Sequence, residues 1–279
     1  MNLREYRQMY EVEDFHWWYV ALHELVISAI KLTKGSAGEL QILDAGCGTG
    51  RLCQMLEPYG AVSGCDVSPE ALELCRQRGL KSLFQADLNS VTLQSSHYDV
   101  ITSIDTLYHL GIDDEKAVVE KFHAALKPGG ILVLNLVAHE FLRSTHDIAV
   151  HTRKRYTRNE VEALLTGCGF RIIVSSYRLG FLFFPIAALR LMKKALNFSR
   201  HPEMVASDVT SPHPAINRLL LWLARQENRP VLKSSVPFGT SVFAVAERPV
   251  NNQSLPANKN LPCHGGIYGK FGIADPKNV

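Results

Sequence analysis

Paired cysteines are the first thing this chain lacks. Its six cysteines stand at 47, 53, 65, 75, 168 and 263 with no C-x-x-C pair among them. That spacing argues against a zinc site or a disulfide frame and for reduced thiols. Cys263-His264 has no further ligand beside it, so no metal is expected. Long apolar runs are missing too: nothing approaches the ~20 residues that span a bilayer. The first residues are charged (Arg4, Glu5, Arg7, Glu11, Glu13, Asp14) and contain no secretory apolar core. The expectation is a cytoplasmic protein. A net charge of +3 over 279 residues is too small to call for nucleic acid. Internal repeats are absent. What remains, 46% hydrophobic and 20% charged, is the composition of a chain with a real core.

Within that composition, short apolar runs alternate with amphipathic stretches. Strands are expected at 41–46, 61–67, 82–87, 98–104, 130–137, 170–177 and 241–247. Helices are expected at 17–33, 50–58, 69–78, 113–126 and 158–167. This alternation predicts a doubly wound parallel sheet. Ser68-Pro69-Glu70 supplies an N-cap followed by proline at the first helical position. Thr157-Arg158-Asn159-Glu160 reads as a capping box. Lys127-Pro128-Gly129-Gly130 reads as a helix stop and turn. About sixty residues separate the last two strands, far beyond an ordinary loop.

The most informative stretch is Ile42-Leu43-Asp44-Ala45-Gly46-Cys47-Gly48-Thr49-Gly50. A glycine turn after a strand usually cradles phosphate. A carboxylate just before the turn would repel a pyrophosphate and suits a ligand that brings a cation. Arg51 also stands where the dinucleotide pattern G-x-G-x-x-G needs its third glycine. Asp66 ends the second strand about twenty residues on, where an acid takes ribose hydroxyls.

These residues resemble the class I S-adenosylmethionine-dependent methyltransferases, in particular the ubiquinone/menaquinone-methylase-like group. The resemblance covers about 40–180. It implies a Rossmann-like, seven-stranded doubly wound sheet with a helical insertion before an antiparallel last strand. It also implies S-adenosylmethionine as cofactor, held by Asp44, Gly46, Cys47, Gly48, Gly50, Asp66, Val67, Asp87, Leu88, Ile104 and Asp105. In this scheme Asp87 meets the adenine amino group, Val67 and Leu88 flank the ring, and Ile104 and Asp105 face the reacting methyl. The segment Glu13-Asp14-Phe15-His16-Trp17-Trp18-Tyr19 resembles the acid, His and paired aromatics that close over the cofactor in that group. An aromatic first turn packed on the core is the plainer reading of it.

Methyl transfer needs a base only when the acceptor must lose a proton. His109, just past the fourth strand, is the first candidate, and Tyr108 and His16 follow. His139 and His146 would line an acceptor pocket. Arg153-Lys154-Arg155-Tyr156-Thr157-Arg158 reads as a solvated loop rather than a nucleic-acid stripe. The division expected is 1–36 an N-terminal helical cap, 37–178 the cofactor-binding core, 179–240 a helical insertion, 241–248 the last strand and 249–279 a flexible tail. In the insertion, 181–189 is uncharged. The helix that follows would put Arg190, Lys193, Lys194 and Asn197 on one face and Leu189, Met192, Ala195 and Leu196 on the other. A second helix at 214–226 would turn Ile216, Leu219, Leu220 and Leu223 inward. Together they suggest a lid over an apolar pocket, with a homodimer surface or peripheral membrane contact as other uses.

The expected activity is O- or C-methylation of a small hydrophobic acceptor that is quinone-, polyketide- or lipid-like. A non-catalytic cofactor-binding interaction protein and a methyltransferase of sugars or other polar metabolites are the alternatives. An NAD(P) oxidoreductase is opposed by Asp44 and the glycine spacing. Nucleic-acid methylation is opposed by the segment after the fourth strand, which reads Asp105-Thr106-Leu107-Tyr108 and carries no Asn/Asp-Pro-Pro-aromatic motif.

Overall fold

A computed structural model describes residues 3–35, 38–144, 147–148, 150–195 and 212–250. The apolar residues of the central strands occupy successive positions, so each strand feeds both faces of the sheet. Ile42, Val100, Val133 and Phe243 point to one side, where helix α2 (Trp17–Lys34) covers them with Leu22, Leu25, Val26 and Ile30. Leu43, Ile101, Leu132 and Leu134 point to the other, against Phe122 of α5 (Glu115–Ala125) and Leu165 of α6 (Arg158–Gly167).

The sheet is seven-stranded. Its strands are β1 (Leu40–Ala45), β2 (Gly60–Asp66), β3 (Leu83–Gln85), β4 (Tyr98–Ile104), β5 (Leu126–Val137), β6 (Arg171–Arg178) and β7 (Ser241–Glu247), ordered β3-β2-β1-β4-β5-β7-β6. Strand β7 lies antiparallel between β5 and β6, and the neighbouring pairs among β1 to β5 are parallel. The order reverses between β1 and β4. At such a switch point the carboxyl ends of the strands open a crevice for ligand.

Helix α3 (Arg51–Leu56) ends two residues early and tightens into one 3-10 turn at Glu57–Tyr59, where Pro58 removes a donor. Helix α4 (Pro69–Gln77) begins as expected, the Ser68 hydroxyl accepting from the Ala71 N–H at 3.2 Å. The Thr157/Glu160 capping box is also in place. The Lys127–Gly130 turn is not a separate loop. It forms the irregular opening of β5, where the pairing with β4 shifts register between Tyr98 and Val100. Helix α1 (Leu3–Val12) has no counterpart in the expected elements.

The insertion differs in phase. Helix α7 (Gly180–Ala195) turns Leu182, Ile186 and Arg190 to the crevice and leaves Leu189 and Met192 exposed. The apolar and basic faces are therefore exchanged at these positions. Residues 196 and 197 and the side chains of 193–195 lie outside the described set. Helix α8 (Pro214–Lys233) buries Ala224 and Val231, and Ile216 and Leu219 face outward. Its phase is set by polar tethers to α2 and by small residues. Asn228 donates to the Ala21 carbonyl and Asn217 to that of Phe15, each at 2.8 Å, while Ala224 packs on Ala21. The expected tail falls almost wholly on 251–279, outside the described residues.

Candidate active site

The carboxyl ends of β1, β2 and β4 open into a cavity of about 770 Å³, closed on its other sides by α1, α2 and α7. Its first wall is the loop after β1. Gly46 adopts φ +86°, and a Cβ there would lie 2.3 Å from the Thr106 hydroxyl. Gly48 adopts φ +55° and has Met9 of α1 against it, 2.7 Å from where a Cβ would stand. Only glycine serves at both positions. The N–H groups of Gly46 and Cys47 donate to the Cys65 carbonyl at 2.8 and 2.9 Å, which fixes the loop against β2. Gly50 is not among the lining residues; it starts α3 with its back to Cys75 and Leu80.

Three carboxyl groups at the strand ends face this space. Asp44 is 2% exposed, accepts from Thr102 Oγ1 at 2.7 Å, and is pushed up to about 6 by burial. Asp66 accepts from the Gly48 N–H at 3.0 Å, the Ser68 N–H at 2.9 Å and the Tyr6 hydroxyl at 3.3 Å. Burial raises its carboxyl while those donors pull it back. Asp105 follows β4 with φ +54° and is pushed up to about 7, chiefly by burial. Both its oxygens are held by Asn135 Nδ2, at 3.0 and 3.1 Å. Asp87 is exposed at the rim and bonds Asn89, with Val67 and Leu88 beside it on the lining.

Cys47, Ile104, Tyr108, His109 and His16 also line the cavity, so every cofactor-binding and base candidate from the sequence except Gly50 reaches one space. Their chemistry differs from expectation. His16 Nδ1 accepts from the Trp18 N–H at 3.3 Å as the N-cap of α2, so its neutral ring keeps the proton on Nε2 and serves as a donor. The His109 ring stacks on Tyr108 and is lowered to about 4 by burial. Tyr108 is held well above its ordinary value by burial and by Asp105. His139 stacks on Tyr177 at 4.8 Å, outside the lining, and His146 lies outside the described residues.

The sequence also concealed several walls. Tyr6 and Met9 come from α1, an amphipathic helix with apolar residues at 6, 9 and 12 that the expected elements did not include. Glu13, just beyond α1, is buried with Arg78 at 2.7 Å and receives the Thr49 hydroxyl. Arg155 is not solvated. It is buried, forked onto both oxygens of Asp147 at 2.7 and 3.0 Å, and lines the cavity, as does Arg190. Trp18, Leu22, Val137, Leu179, Leu182 and Ile186 add apolar surface to the lining, and His23, His151, Thr240 and Ser241 add polar groups.

The residues present fit a small cationic nucleoside ligand. Carboxylates ring the glycine loop, and the missing Cβ atoms of Gly46 and Gly48 let Thr106 and Met9 pack against its backbone. Asp66 stands where ribose hydroxyls would meet it.

Against known families, residues 42–130 match the family described as "Methyltransferase domain". The ubiquinone biosynthesis O-methyltransferase of Bordetella bronchiseptica is 34% identical over 140 residues, covering 43% of this chain and 57% of that protein. The chain thus spans little more than half the length of the first curated relatives it matches. The phosphoethanolamine N-methyltransferase of Plasmodium falciparum is 29% identical over 161 residues, covering 54% of this chain and 59% of that protein. Among solved structures, a methyltransferase from Thermotoga maritima described as a possible histamine N-methyltransferase superposes with a TM-score of 0.55 at 18% identity. That match covers 88% of this chain and 95% of the other and speaks to the fold.

Proposed function

We propose, from residues 42–130 that match a methyltransferase domain, that the chain is a class I S-adenosylmethionine-dependent enzyme that methylates an oxygen of a small hydrophobic, quinone-like acceptor. The observation that carries this reading is one cavity with two unlike ends. Carboxylates and glycines surround the cofactor end, while aliphatic and aromatic side chains line the acceptor end. When bound, S-adenosylmethionine supplies a methyl on a positively charged sulfur. Asp66 would take the ribose and Asp87 the adenine edge. Asp44, held ready by Thr102, would favour the cationic end of the ligand. Placing two reactants in line at fixed distance can lower a barrier by ~7–11 kcal/mol. The chain's main work is that placement, and the exclusion of water by α1, α2 and α7.

In this reading residues 1–36 cap the cofactor, 37–178 with 241–248 form the core, and 179–240 close the acceptor end. No described helix is long and apolar enough to cross a membrane. We infer a cytoplasmic protein. Exposed Phe184, Leu189, Leu191 and Met192 of α7 form the surface for a second copy or a membrane face.

The test is transfer by the purified full chain of a labelled methyl group to catechol, an alkylated catechol, glucose or phosphoethanolamine. The reading expects S-adenosylhomocysteine and labelled ether from the catechols, more from the alkylated one. Transfer only to phosphoethanolamine or glucose would contradict it, and no turnover with any acceptor would favour a non-catalytic binding protein.

A further inference from the structure

Resting on that reading, we propose that Asp105, rather than His109, takes the proton from the acceptor, and that the acceptor group is therefore a phenol or enol hydroxyl. Four observations converge on this residue. It follows β4 at the switch point, and the next residue, Thr106, occupies the space left open by Gly46. The carboxyl thus lies beside the loop that would hold the methyl donor.

Its backbone is the second observation. A residue with a side chain at φ +54° is in the left-handed region, which Asp tolerates better than most but still at a cost. Strain of this kind persists where the surroundings over-determine it. They do so here: the Asp105 N–H donates to the Asn135 carbonyl at 2.9 Å while the Asn135 amide donates to the side chain. Asn135 is itself fully buried in β5, an expensive place for an amide, and it pairs in register with Ile104. Its position is explained by the carboxylate it holds. Asn135 is a positioning residue in this account.

The third observation is the company at the acceptor end. Tyr19 and His23 of α2 and Tyr108 line the same cavity as Asp105. Arg178 at the end of β6 lies behind with its charge felt by Asp105, and Glu227 of α8 faces Arg178 from the other side. His23, on the cavity lining, is buried with Nδ1 unpartnered. Such an orphaned group on a crevice wall suits a polar, oxygen-bearing guest.

The fourth is chemical matching. Burial, offset only in part by the Asn135 hydrogen bonds and the Arg178 charge, brings the Asp105 carboxyl to about 7, within roughly three units of a phenol at ~10. His109 at about 4 stands roughly six units away. The proton passes from the acceptor O–H to an Asp105 oxygen. The freed oxygen pair forms the bond to the methyl carbon, and the carbon–sulfur pair leaves with sulfur, giving the neutral thioether. Asp105 then returns its proton to solvent. An aliphatic alcohol would be too weak an acid for this base, and a neutral amine would need none.

The test uses the full chain, saturated with S-adenosylhomocysteine and titrated calorimetrically with catechol from pH 5.5 to 9. Wild type should bind catechol about tenfold more tightly above pH 7 than at pH 5.5. Asp105→Asn should bind weakly and without pH dependence, and Asp105→Glu should restore the dependence. In turnover, Asp105→Asn should lose ~10²-fold or more in kcat, with KM rising by no more than the roughly tenfold loss in catechol affinity, as removal of a general base does. His109→Gln should keep the rising limb near pH 7. The proposal is overturned if that limb survives in Asp105→Asn or disappears in His109→Gln, or if phosphoethanolamine binds and catechol does not. Failure to bind S-adenosylhomocysteine at all would overturn the underlying reading with it, a result separable from the others.

Discussion

Asp66 and Asp44 do different work although each is a buried carboxyl at a strand end. Asp66 already accepts three hydrogen bonds, two from main-chain N–H groups, so it is fixed before any ligand arrives. Asp66→Ala should weaken S-adenosylhomocysteine binding by about 1.5–3 kcal/mol, the range for hydrogen bonds to a charged group, or roughly tenfold to a hundredfold. A dissociation constant unchanged by the substitution would remove Asp66 from the site. Asp44 and Asp105, raised to about 6 and about 7, make stability depend on pH. A raised carboxyl contributes fully below its unfolded value of ~3.9, and that contribution is lost as pH rises through the folded value. Asp147, Asp99 and Glu115 are lowered by their partners and act in the opposite sense, losing stability in acid. His109 and His23, held neutral by burial and lowered to about 4 and about 3, lose stability as pH falls below ~6.5 and so oppose the two raised carboxyls between pH 4 and 7. Removing one raised carboxyl should tip that balance: relative to wild type, Asp105→Asn should gain melting temperature as pH rises from 5 to 8, measured by thermal denaturation across that range. The glycine–acid cluster was legible from sequence because residue type and spacing carry the chemistry. The inward turn of Arg155 was not, because its partner Asp147 lies eight residues away and only the fold brings the two together.

At the scale of elements, capped helices and β-branched strands announced themselves, since their signals are local. Helix α1 did not. The helix is short and polar on average, and its buried Tyr6 and Val12 are backed by single long-range contacts: Tyr6 to Asp66, and Glu13, just beyond the helix, to Arg78. Arg78 also spans to Asp14 and the Tyr10 carbonyl, so one guanidinium ties the whole N-terminal segment to the end of α4. Arg78→Ala would leave the Glu13 carboxylate buried without its partner, a loss of about 3–5 kcal/mol for a fully buried pair. Hydrogen exchange should then rise in residues 5–16 with little change in β4 and β5. Uniform exchange across the chain would mean that α1 is no separate closing element. The phase of α8 was missed for a related reason: exposed Ile216, Leu219 and Trp222 form the more hydrophobic stripe, while Asn217, Ala224 and Asn228 make the contacts with α2.

For the whole molecule, the alternation of strand and helix fixed a doubly wound sheet before any coordinate, and the sheet fixed where ligand must lie. The same logic placed the long connection between β6 and β7 at the carboxyl end of the sheet, where Leu182 and Ile186 line the cavity. Ile186→Asp should leave S-adenosylhomocysteine binding within about twofold and raise KM for an alkylated catechol more than for catechol itself. Equal effects on the two acceptors would remove α7 from the acceptor wall. The central claim is electrostatic: the crevice at the switch point accepts a cationic nucleoside and refuses a pyrophosphate. Calorimetric titration of the full chain at pH 7.5 with S-adenosylmethionine and, separately, with NADH tests it most directly. The account predicts one-to-one binding of S-adenosylmethionine and no heat from NADH at millimolar concentration. Saturable NADH binding, with S-adenosylmethionine inert, would contradict it.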